Sequence, residues 1–348
     1  MAKKVFVGMS GGVDSSVTAA LLKEQGYDVT GVYMKNWSQD LPGFACPWKE
    51  DYQDAKRVAV QLGIDFKMYD FEKEYRHKVV DYMIAEYQAG RTPNPDIMCN
   101  QEVKFKLFLN TALEDGADMI ATGHYSRIKD GQLFTAANVD KDQSYFLYRV
   151  TADALEHSLM PIGDFKTKDE VRAIAKKFGL ATADKKDSQG ICFVGKVGIR
   201  EFLEQFVTAE PGDIVEQNGI KIGRHDGALF YTIGQRHGLY VGGGLPYYVV
   251  GKDMAKNEVY VTTDLQDERL WREELHLTDL HWINNEPESG RNYQVRTRYR
   301  APLVTIEGMQ KDDAGLRLSL SEAVRAITPG QSAVIYDGDR VLGGGIVV

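Results

Sequence analysis

The feature that most constrains the fold is a short apolar run followed at once by a glycine-rich turn. Val5, Phe6 and Val7 form the run, and residues 8–16, G-M-S-G-G-V-D-S-S, follow it. Apolar residues at helical spacing come next, so this stretch predicts a buried strand, a tight loop and a helix. Glycines let backbone N–H groups approach an anion, and the dipole of the following helix favours negative charge. The sequence therefore predicts a phosphate-binding loop.

Side chains within this loop bear on its ligand. Ser10, Ser15 and Ser16 can add hydroxyl donors, and Asp14 could hold a metal ion on bound phosphates. It is not a Walker A loop, because no Gly-Lys-Ser or Gly-Lys-Thr closes it. The alternative is an ordinary strand-to-helix turn with a capping serine. The whole S-G-G-V-D-S-S string after a buried strand favours the anion site.

The first half of the chain alternates strand and helix patterns. Residues 29–34, 66–69 and 119–122 are further strand candidates. Between them, Ala55, Val58, Ala59 and Leu62 have helical spacing, and a capping box from Thr167 to Glu170 opens a helix that stops at Gly179. Strands separated by helices predict an α/β fold with a doubly wound parallel sheet.

The pattern changes after about residue 200, where short alternating strands and glycines replace helices. Residues 293–300 alternate strictly, and residues 333–348 predict a hairpin that turns at Asp337, Gly338 and Asp339. We expect an all-β second half, made of two small modules joined near residues 268–276.

Composition narrows the class of protein. The chain has 348 residues, of which 43% are hydrophobic, and its net charge of −8 does not suit a chain that binds nucleic acid by overall charge. No apolar stretch is long enough to span a bilayer. The three cysteines are far apart, which is not the pattern of a secreted disulfide framework. We therefore expect a cytoplasmic protein that does not associate with membranes.

Two of the cysteines stand in unusual settings. Cys99 ends the string P-N-P-D-I-M-C, three residues after Asp96, and precedes an amphipathic helix pattern over residues 101–114. A thiol near a helix N-terminus has a lowered pKa, although the charge of Asp96 opposes this unless Asp96 transfers a proton. Cys192 lies in a loop flanked by glycine. For Cys46 we expect the ordinary role of a small buried hydrophobic residue.

Five further motifs, together with the loop, carry a family resemblance. They are T-P-N-P-D-I-M-C-N at residues 92–100, A-T-G-H-Y at 121–125, K-D-Q-S-Y-F-L at 141–147, D-S-Q-G-I-C-F at 187–193 and Y-T-I-G-Q-R at 231–236. The loop resembles the pyrophosphate loop of the N-type ATP pyrophosphatase superfamily. Taken together and in this order, the motifs resemble those of the tRNA-specific 2-thiouridylases over essentially the whole chain.

The resemblance implies a domain organisation and a nucleotide site. It implies an ATP-pyrophosphatase domain over residues 1–200, a small central β-rich domain over 205–270 and a C-terminal β-barrel over 275–348. The cofactors would be ATP and Mg²⁺. The residues implied to contact ATP are Gly8, Met9, Ser10, Gly11, Gly12, Val13, Asp14, Ser15, Met34 and Gly123.

The resemblance also implies a reaction, the 2-thiolation of the wobble uridine, U34, of tRNA. The C2 carbonyl oxygen would be adenylated, and sulfur would then replace it with release of AMP and pyrophosphate. In that family pattern Cys192 is the persulfide carrier, Cys99 the partner nucleophile and Asp96 the general acid/base. Asn94, Pro95 and Asp96 would contact the target base. A cysteine desulfurase or a sulfur-relay protein would donate the sulfur.

A basic strand is the candidate tRNA surface. Arg296, Arg298 and Arg300 alternate with other residues, which predicts three guanidinium groups on one face of one strand. On pattern alone, a solvated barrel face is an equal alternative. By resemblance, the candidate contacts with the anticodon region of tRNAs of the Lys, Glu and Gln types are His124, Lys141, Asp142, Gln143, Arg298, Tyr299, Arg300 and Gln331. A second basic cluster comprises Lys166, Lys168, Arg172, Lys176, Lys177, Lys185 and Lys186.

Two other functions share some of these features. An amidotransferase or synthetase, such as an NAD or GMP synthetase, also adenylates its substrate through such a loop. It needs an ammonia source, and this chain shows no glutaminase-like half. A tRNA-binding module with a vestigial nucleotide loop is the other alternative. The intact loop and the two cysteines argue against it.

Overall fold

The computed structural model describes residues 2–186, 197–239, 241–242, 244–288 and 290–348. The first part of the chain contains the strands β1 (Lys4–Gly8), β2 (Asp28–Lys35), β3 (Asp65–Asp70), β4 (Met119–Ala121), β5 (Arg127–Lys129), β6 (Gln132–Phe134) and β7 (Ser158–Leu159). A parallel sheet has the strand order β3-β2-β1-β4-β7. Its central strand, β1, is the apolar run at the start of the sequence.

Helices connect these strands. They are α1 (Val13–Glu24), α2 (Trp48–Leu62), α3 (Glu72–Tyr75), α4 (Asp81–Gln88), α5 (Pro95–Met98), α6 (Leu109–Glu114), α7 (Ala152–Glu156), α8 (Lys168–Lys177) and α9 (Ile199–Leu203). Wide π-helical segments, Arg76–Val80 and Cys99–Phe108, join α3 to α4 and α5 to α6. Short 3₁₀ turns are formed by Ser144–Leu147, Ala228–Phe230 and Glu268–Leu270.

Both faces of the parallel sheet are buried, as a doubly wound fold requires. Val5 and Val7 of β1 pack in one core with Val17 of α1 and Val58 of α2. The side chain between them, Phe6, points to the opposite core. The period of two along β1 thus divides the interior into two layers, and the predicted fold class is confirmed.

The second half is built from strands. A small sheet with the order β10-β11-β8-β9 contains β8 (Gly212–Glu216), β9 (Lys221–His225), β10 (Tyr248–Asp253) and β11 (Glu258–Thr262). The last part contains β12 (Trp271–Trp282), β13 (Tyr293–Arg296), β14 (Val304–Asp312), β15 (Gly315–Arg325), β16 (Ser332–Asp337) and β17 (Arg340–Val347). Because β12 pairs with both β15 and β17, these last strands close into the predicted β-barrel.

The barrel sheet continues into the first half of the chain. The hairpin of β5 and β6 pairs with β17, where Leu133 faces Val341 and Phe134 faces Arg340. The predicted hairpin of β16 and β17 also forms, and it turns at Gly338, whose φ is 61°. The barrel and the α/β part are therefore joined by main-chain hydrogen bonds.

Two sequence predictions were wrong in detail. β13 ends at Arg296, because the chain turns so that the Ala301 N–H donates to the Arg298 carbonyl. The three arginines of residues 296–300 therefore do not share one strand face. The helix predicted over residues 101–114 begins earlier, at Pro95, because Asn94 caps it and proline suits its first position. No helix in the described part of the chain is long and apolar enough to cross a membrane.

Candidate functional site

The predicted phosphate loop lies between β1 and α1, at the carboxyl edge of the parallel sheet. Gly12 occupies the N-cap position of α1 in an extended conformation, and no side chain caps this helix. The N–H groups of the first turn therefore remain available to an anion. The Ser16 hydroxyl donates to the Gly12 carbonyl at 2.7 Å, and the Ser10 N–H donates to the Ser15 hydroxyl at 3.2 Å.

One glycine of the loop is required by both conformation and space. Gly11 has a φ of +75°, and a Cβ there would lie 2.4 Å from the carbonyl oxygen of Asp51. Only glycine accepts this conformation beside the backbone of α2 without strain. The first turn of α2 thus packs directly against the loop.

The structure brings the other residues implied to contact ATP to the same edge. A Cβ on Gly8 would lie 3.0 Å from the Met34 methyl group. A Cβ on Gly123 would lie 2.7 Å from the Ser15 amide nitrogen. Met34 comes from β2 and Gly123 follows β4, the strands that flank β1. The loop, Met34 and Gly123 therefore form one contiguous site where α/β folds place their ligands.

The Asp14 carboxylate has partners from distant parts of the chain. The Lys168 ammonium lies 2.8 Å from each of its oxygens, and the Tyr125 hydroxyl donates to it at 2.9 Å. Among the residues described here, no group of three or more His, Cys, Asp or Glu side chains is placed to hold a metal ion. Sequence reasoning missed Lys168 and Tyr125 as partners of Asp14, since they are 154 and 111 residues away.

A second candidate site is a cleft formed by the start of the α5 helix. This cleft has a volume of about 380 Å³ and is lined by Tyr87, Thr92, Pro93, Asn94, Pro95, Asp96, Val197, Gly198, Ile199 and Gln331. The Asn94 side chain accepts a hydrogen bond from the Asp96 N–H at 3.2 Å, which caps the helix. The residues implied to contact a target base thus line an open cleft.

Cys99 lies one turn inside the helix that this cleft starts. Its residue is fully buried and packs among apolar neighbours such as Ile97, Val103 and Phe105. Since the helix begins at Pro95, Cys99 comes directly after the first helical turn and does not precede the helix. Cys192 lies outside the described residues, so the pairing of these two cysteines stays a prediction.

Cys46 has the environment expected of a structural cysteine. Its thiol is partly buried and lies 3.6 Å from the Trp37 carbonyl oxygen. Burial raises its pKa above the ordinary thiol value, which disfavours the reactive thiolate.

Three parts of the chain meet at Thr92, on the rim of the cleft. From the barrel, the Gln331 amide donates to the Thr92 carbonyl at 2.7 Å, and the Pro329 carbonyl accepts the Thr92 N–H at 2.8 Å. From the central part, the Thr232 hydroxyl lies 3.2 Å from the Thr92 hydroxyl. These bonds fix the backbone that leads to Asn94 and Asp96.

Two of the residues implied to contact tRNA, His124 and Asp142, are buried in this structure. His124 is 8% exposed, its Nδ1 lies 2.8 Å from the Thr122 hydroxyl, and its Nε2 lies 3.5 Å from the Lys104 ammonium. Burial, with the charge of Lys104, holds its pKa well below 6.5, so the ring is neutral. Asp142 is 4% exposed and accepts hydrogen bonds from the Ala136 and Ser144 N–H groups.

The remaining tRNA candidates lie nearer to the surface. The Gln143 side chain accepts from the Tyr125 N–H at 2.9 Å, and Lys141 is half-buried beside it. Arg298 and Arg300 are exposed; Arg300 has a φ of 63° and donates to the Asp140 carbonyl at 2.8 Å. The Tyr299 ring lies 4.5 Å from that of Phe146. Arg296 is instead turned inward, where it pairs with Asp142 at 3.4 Å.

The second basic cluster is partly neutralised by acidic neighbours. Lys185 lies 2.8 Å from Asp51 and 2.7 Å from Asp54, and Lys177 lies 2.8 Å from Glu24. Together with the pairing of Lys168 and Asp14, these contacts lower the net positive charge that this region presents.

Fold and site together define a multi-part α/β protein with a glycine-rich loop at the edge of its parallel sheet. Family models agree with this architecture. Residues 3–196 match one described as a tRNA methyl transferase HUP domain, residues 200–263 match its PRC-barrel domain, and residues 272–347 match an aminomethyltransferase beta-barrel domain.

Full-length relatives define the family more closely. The chain is 48% identical over 350 residues to tRNA-specific 2-thiouridylase MnmA 2 of Geobacillus kaustophilus, covering 99% of this chain and 94% of that protein. It is 48% identical over 353 residues to tRNA-specific 2-thiouridylase MnmA of Staphylococcus aureus, covering 99% and 95%. The chain therefore belongs to the tRNA-specific 2-thiouridylase family.

Among solved structures, one matches the chain at a low level of similarity. It is a 4-thiouridine synthetase in complex with RNA and bound ATP, 20% identical, with a TM-score of 0.39 over 58% of this chain and 50% of that one.

Proposed function

We propose that this chain is an ATP-dependent sulfurtransferase that converts the wobble uridine of tRNA, U34, to 2-thiouridine. The observation that carries the proposal is that the chain shares 48–49% of its sequence with tRNA-specific 2-thiouridylases over essentially their whole length. The convergence of the anion loop, Met34 and Gly123 at one edge of the sheet supports it independently. The substrate is a tRNA read at its anticodon region, and we place the reaction in the cytoplasm.

In the first half-reaction the loop would hold ATP while the C2 carbonyl oxygen of uracil attacks the α-phosphorus. The uncapped N–H groups of α1 and the loop hydroxyls are suited to bind the phosphate oxygens. Pyrophosphate leaves and the oxygen becomes part of an AMP leaving group. Mg²⁺ would accompany the nucleotide and screen its phosphate charge. Asp14 is the residue that we propose would hold the Mg²⁺ ion.

In the second half-reaction sulfur displaces AMP. Cys192 would arrive as a persulfide loaded by a cysteine desulfurase or relay protein. The Cys99 thiolate attacks its inner sulfur, which forms a Cys99–Cys192 disulfide and expels sulfide. Sulfide attacks C2, the C2–O bond breaks and AMP departs. A reductant of the dithiol class must then reduce the disulfide, and Asp96 would transfer the protons.

The cleft beside Asp96 is the proposed place for the target base. Its volume of about 380 Å³ suits one base turned out of the anticodon stack. Asn94, Pro95 and Asp96 would contact that base. The residues proposed to bind the surrounding tRNA are His124, Lys141, Asp142, Gln143, Arg298, Tyr299, Arg300 and Gln331. Of these, His124 and Asp142 would have to become accessible when tRNA binds.

One assay tests the proposal. The purified chain is incubated with ATP, Mg²⁺, sulfide and unmodified tRNA, and we expect AMP, pyrophosphate and 2-thiouridine in equal amounts. AMP without thiolation would favour an adenylating synthetase that uses ammonia. Methylated uridine formed from S-adenosylmethionine, the chemistry that the names of the family models suggest, would contradict the proposal.

A further inference from the structure

Lys168 occupies a position that the phosphate loop itself does not explain. It is the first residue of α8, and the Thr167 side chain caps that helix by accepting the Glu170 N–H at 3.3 Å. The Lys168 ammonium reaches back to the loop and lies 2.8 Å from both oxygens of Asp14. Its side chain is only 15% exposed. A cation is thus built into the rim of the anion site.

Asp14 by itself would weaken an anion site. Its carboxylate stands in the first turn of α1, beside the N–H groups that the uncapped helix offers. A negative charge there satisfies the helix dipole and repels phosphate. The ammonium of Lys168 cancels that charge, so the field of the helix remains available to a second anion. Tyr125, at 2.9 Å, keeps a hydrogen bond on the carboxylate independently of Lys168.

A pair that only joined the two helices would look different, and the chain contains such a pair. Lys177, at the other end of α8, lies 2.8 Å from Glu24 at the end of α1. Those side chains are 64% and 48% exposed and face solvent. A surface pair of this kind adds little to stability. Lys168 differs because it is shielded and lies at the ligand site.

We propose that Lys168 is a phosphate ligand that exchanges partners. Without nucleotide its ammonium rests on Asp14. When ATP enters, the ammonium moves to the oxygens of the β- and γ-phosphoryl groups. Asp14 keeps its hydrogen bond from Tyr125, and its charge becomes available to a cation. In this proposal the β- and γ-groups lie at the Asp14 end of the loop, where the ammonium is, and the rest of the nucleotide lies toward Met34. Gly8 meets Met34 at one end, and Asp14 meets Lys168 at the other. This inference rests on the proposed use of ATP.

The test compares ligands that differ in these phosphates. Binding of ATP, AMP and inorganic pyrophosphate to the full chain is measured by calorimetry with Mg²⁺ present. Lys168→Met should weaken ATP and pyrophosphate about 10- to 100-fold, the range for one lost charge-assisted contact, and change AMP by less than about twofold. Lys177→Met, on the same helix, should change none of them.

Two outcomes would overturn the inference. Unchanged ATP affinity in Lys168→Met would mean that Lys168 takes no part in phosphate binding, either directly or through Asp14. Equal losses for ATP and AMP would mean that the variant distorts the whole loop. The ratio of ATP affinity to AMP affinity within one variant does not depend on the folded fraction. In Lys168→Arg, which keeps the positive charge, this ratio should be close to that of the wild type. If the wild-type chain thiolates tRNA with ATP while Lys168→Met binds ATP normally, this inference fails alone. If the wild-type chain binds no ATP, the proposed function fails with it.

Discussion

Replacement of Gly123 by alanine isolates the contact that joins the loop to β4. An added Cβ would lie 2.7 Å from the Ser15 nitrogen and 2.8 Å from the Asp14 carbonyl carbon. Both atoms belong to backbone, so no side chain can rotate away. Ordinary contact begins near 3.4 Å, so either the loop or the chain around Gly123 must give way by about 0.7 Å. The backbone conformation at Gly123 suits alanine, so the effect is purely steric.

Forced overpacking of this kind typically destabilises by about 1–3 kcal/mol. If the loop moves and must return to bind nucleotide, the same free energy appears as a loss of about 5- to 150-fold in ATP affinity. If it does not move, the melting temperature falls instead, by about 2–4 °C per kcal/mol in a domain of this size. Calorimetric ATP binding and thermal melting, measured on one preparation, separate the two cases.

The matched control is Gly251→Ala in β10, where a Cβ would meet the Tyr260 ring at an ordinary 3.6 Å. We expect it to bind ATP and melt as the wild type does. The reasoning is refuted if Gly123→Ala also matches the wild type in both measurements, because the close approach to Ser15 would then not constrain the loop.

Three further predictions address the cleft and its surroundings. With sulfur supplied by a cysteine desulfurase in place of free sulfide, Cys99→Ser and Cys192→Ser should each abolish thiolation while ATP affinity stays within about twofold; near wild-type thiolation in either, with Cys46→Ser as control, would exclude the two-cysteine route. Gln331→Leu removes the donor to the Thr92 and Pro93 carbonyls and should lower the thiolation rate about tenfold, with ATP affinity intact; an unchanged rate would show that the cleft needs no anchor from the barrel. Because the pKa of His124 is held well below 6.5, the unfolded chain takes up a proton that the folded chain refuses. The free energy of unfolding should therefore fall as pH drops below about 6.5, by up to about 1.4 kcal/mol per pH unit. His124→Gln should reduce this slope in urea titrations, whereas His77→Gln, at an 85% exposed side chain, should not.

Local patterns predicted the fold because each element is specified by neighbouring residues. The apolar run before Gly8 became β1, the capping box at Thr167 became the start of α8, and the turn at Gly338 became a barrel hairpin. The early start of the α5 helix could also have been foreseen, since Asn94 followed by Pro95 is a recognised N-terminal signal.

The features that the sequence did not predict are contacts between residues far apart in the chain and turns that local spacing does not specify. Alternation over residues 293–300 is equally compatible with a strand and with a strand that turns at its midpoint, and here the chain turns after Arg296. The pairing of Asp14 with Lys168 joins residues 154 positions apart, so no local spacing announces it. The burial of His124 likewise depends on Lys104 and on packing from other elements. The pairing of Cys99 with Cys192 remains a prediction for the same reason.

The strand pairing between β6 and β17 has a consequence for how a long substrate is read. Because Leu133 and Val341 are partners in one continuous sheet, the barrel cannot swing away from the sheet edge without breaking main-chain hydrogen bonds. The separation between the exposed arginines near Arg300 and the cleft at Asp96 is then a fixed length. If a nucleic acid is bound at the arginines, only the nucleotide at that distance along it can reach the cleft. The molecule would then select a nucleotide by its distance from the bound end of the substrate as well as by the chemistry of its base.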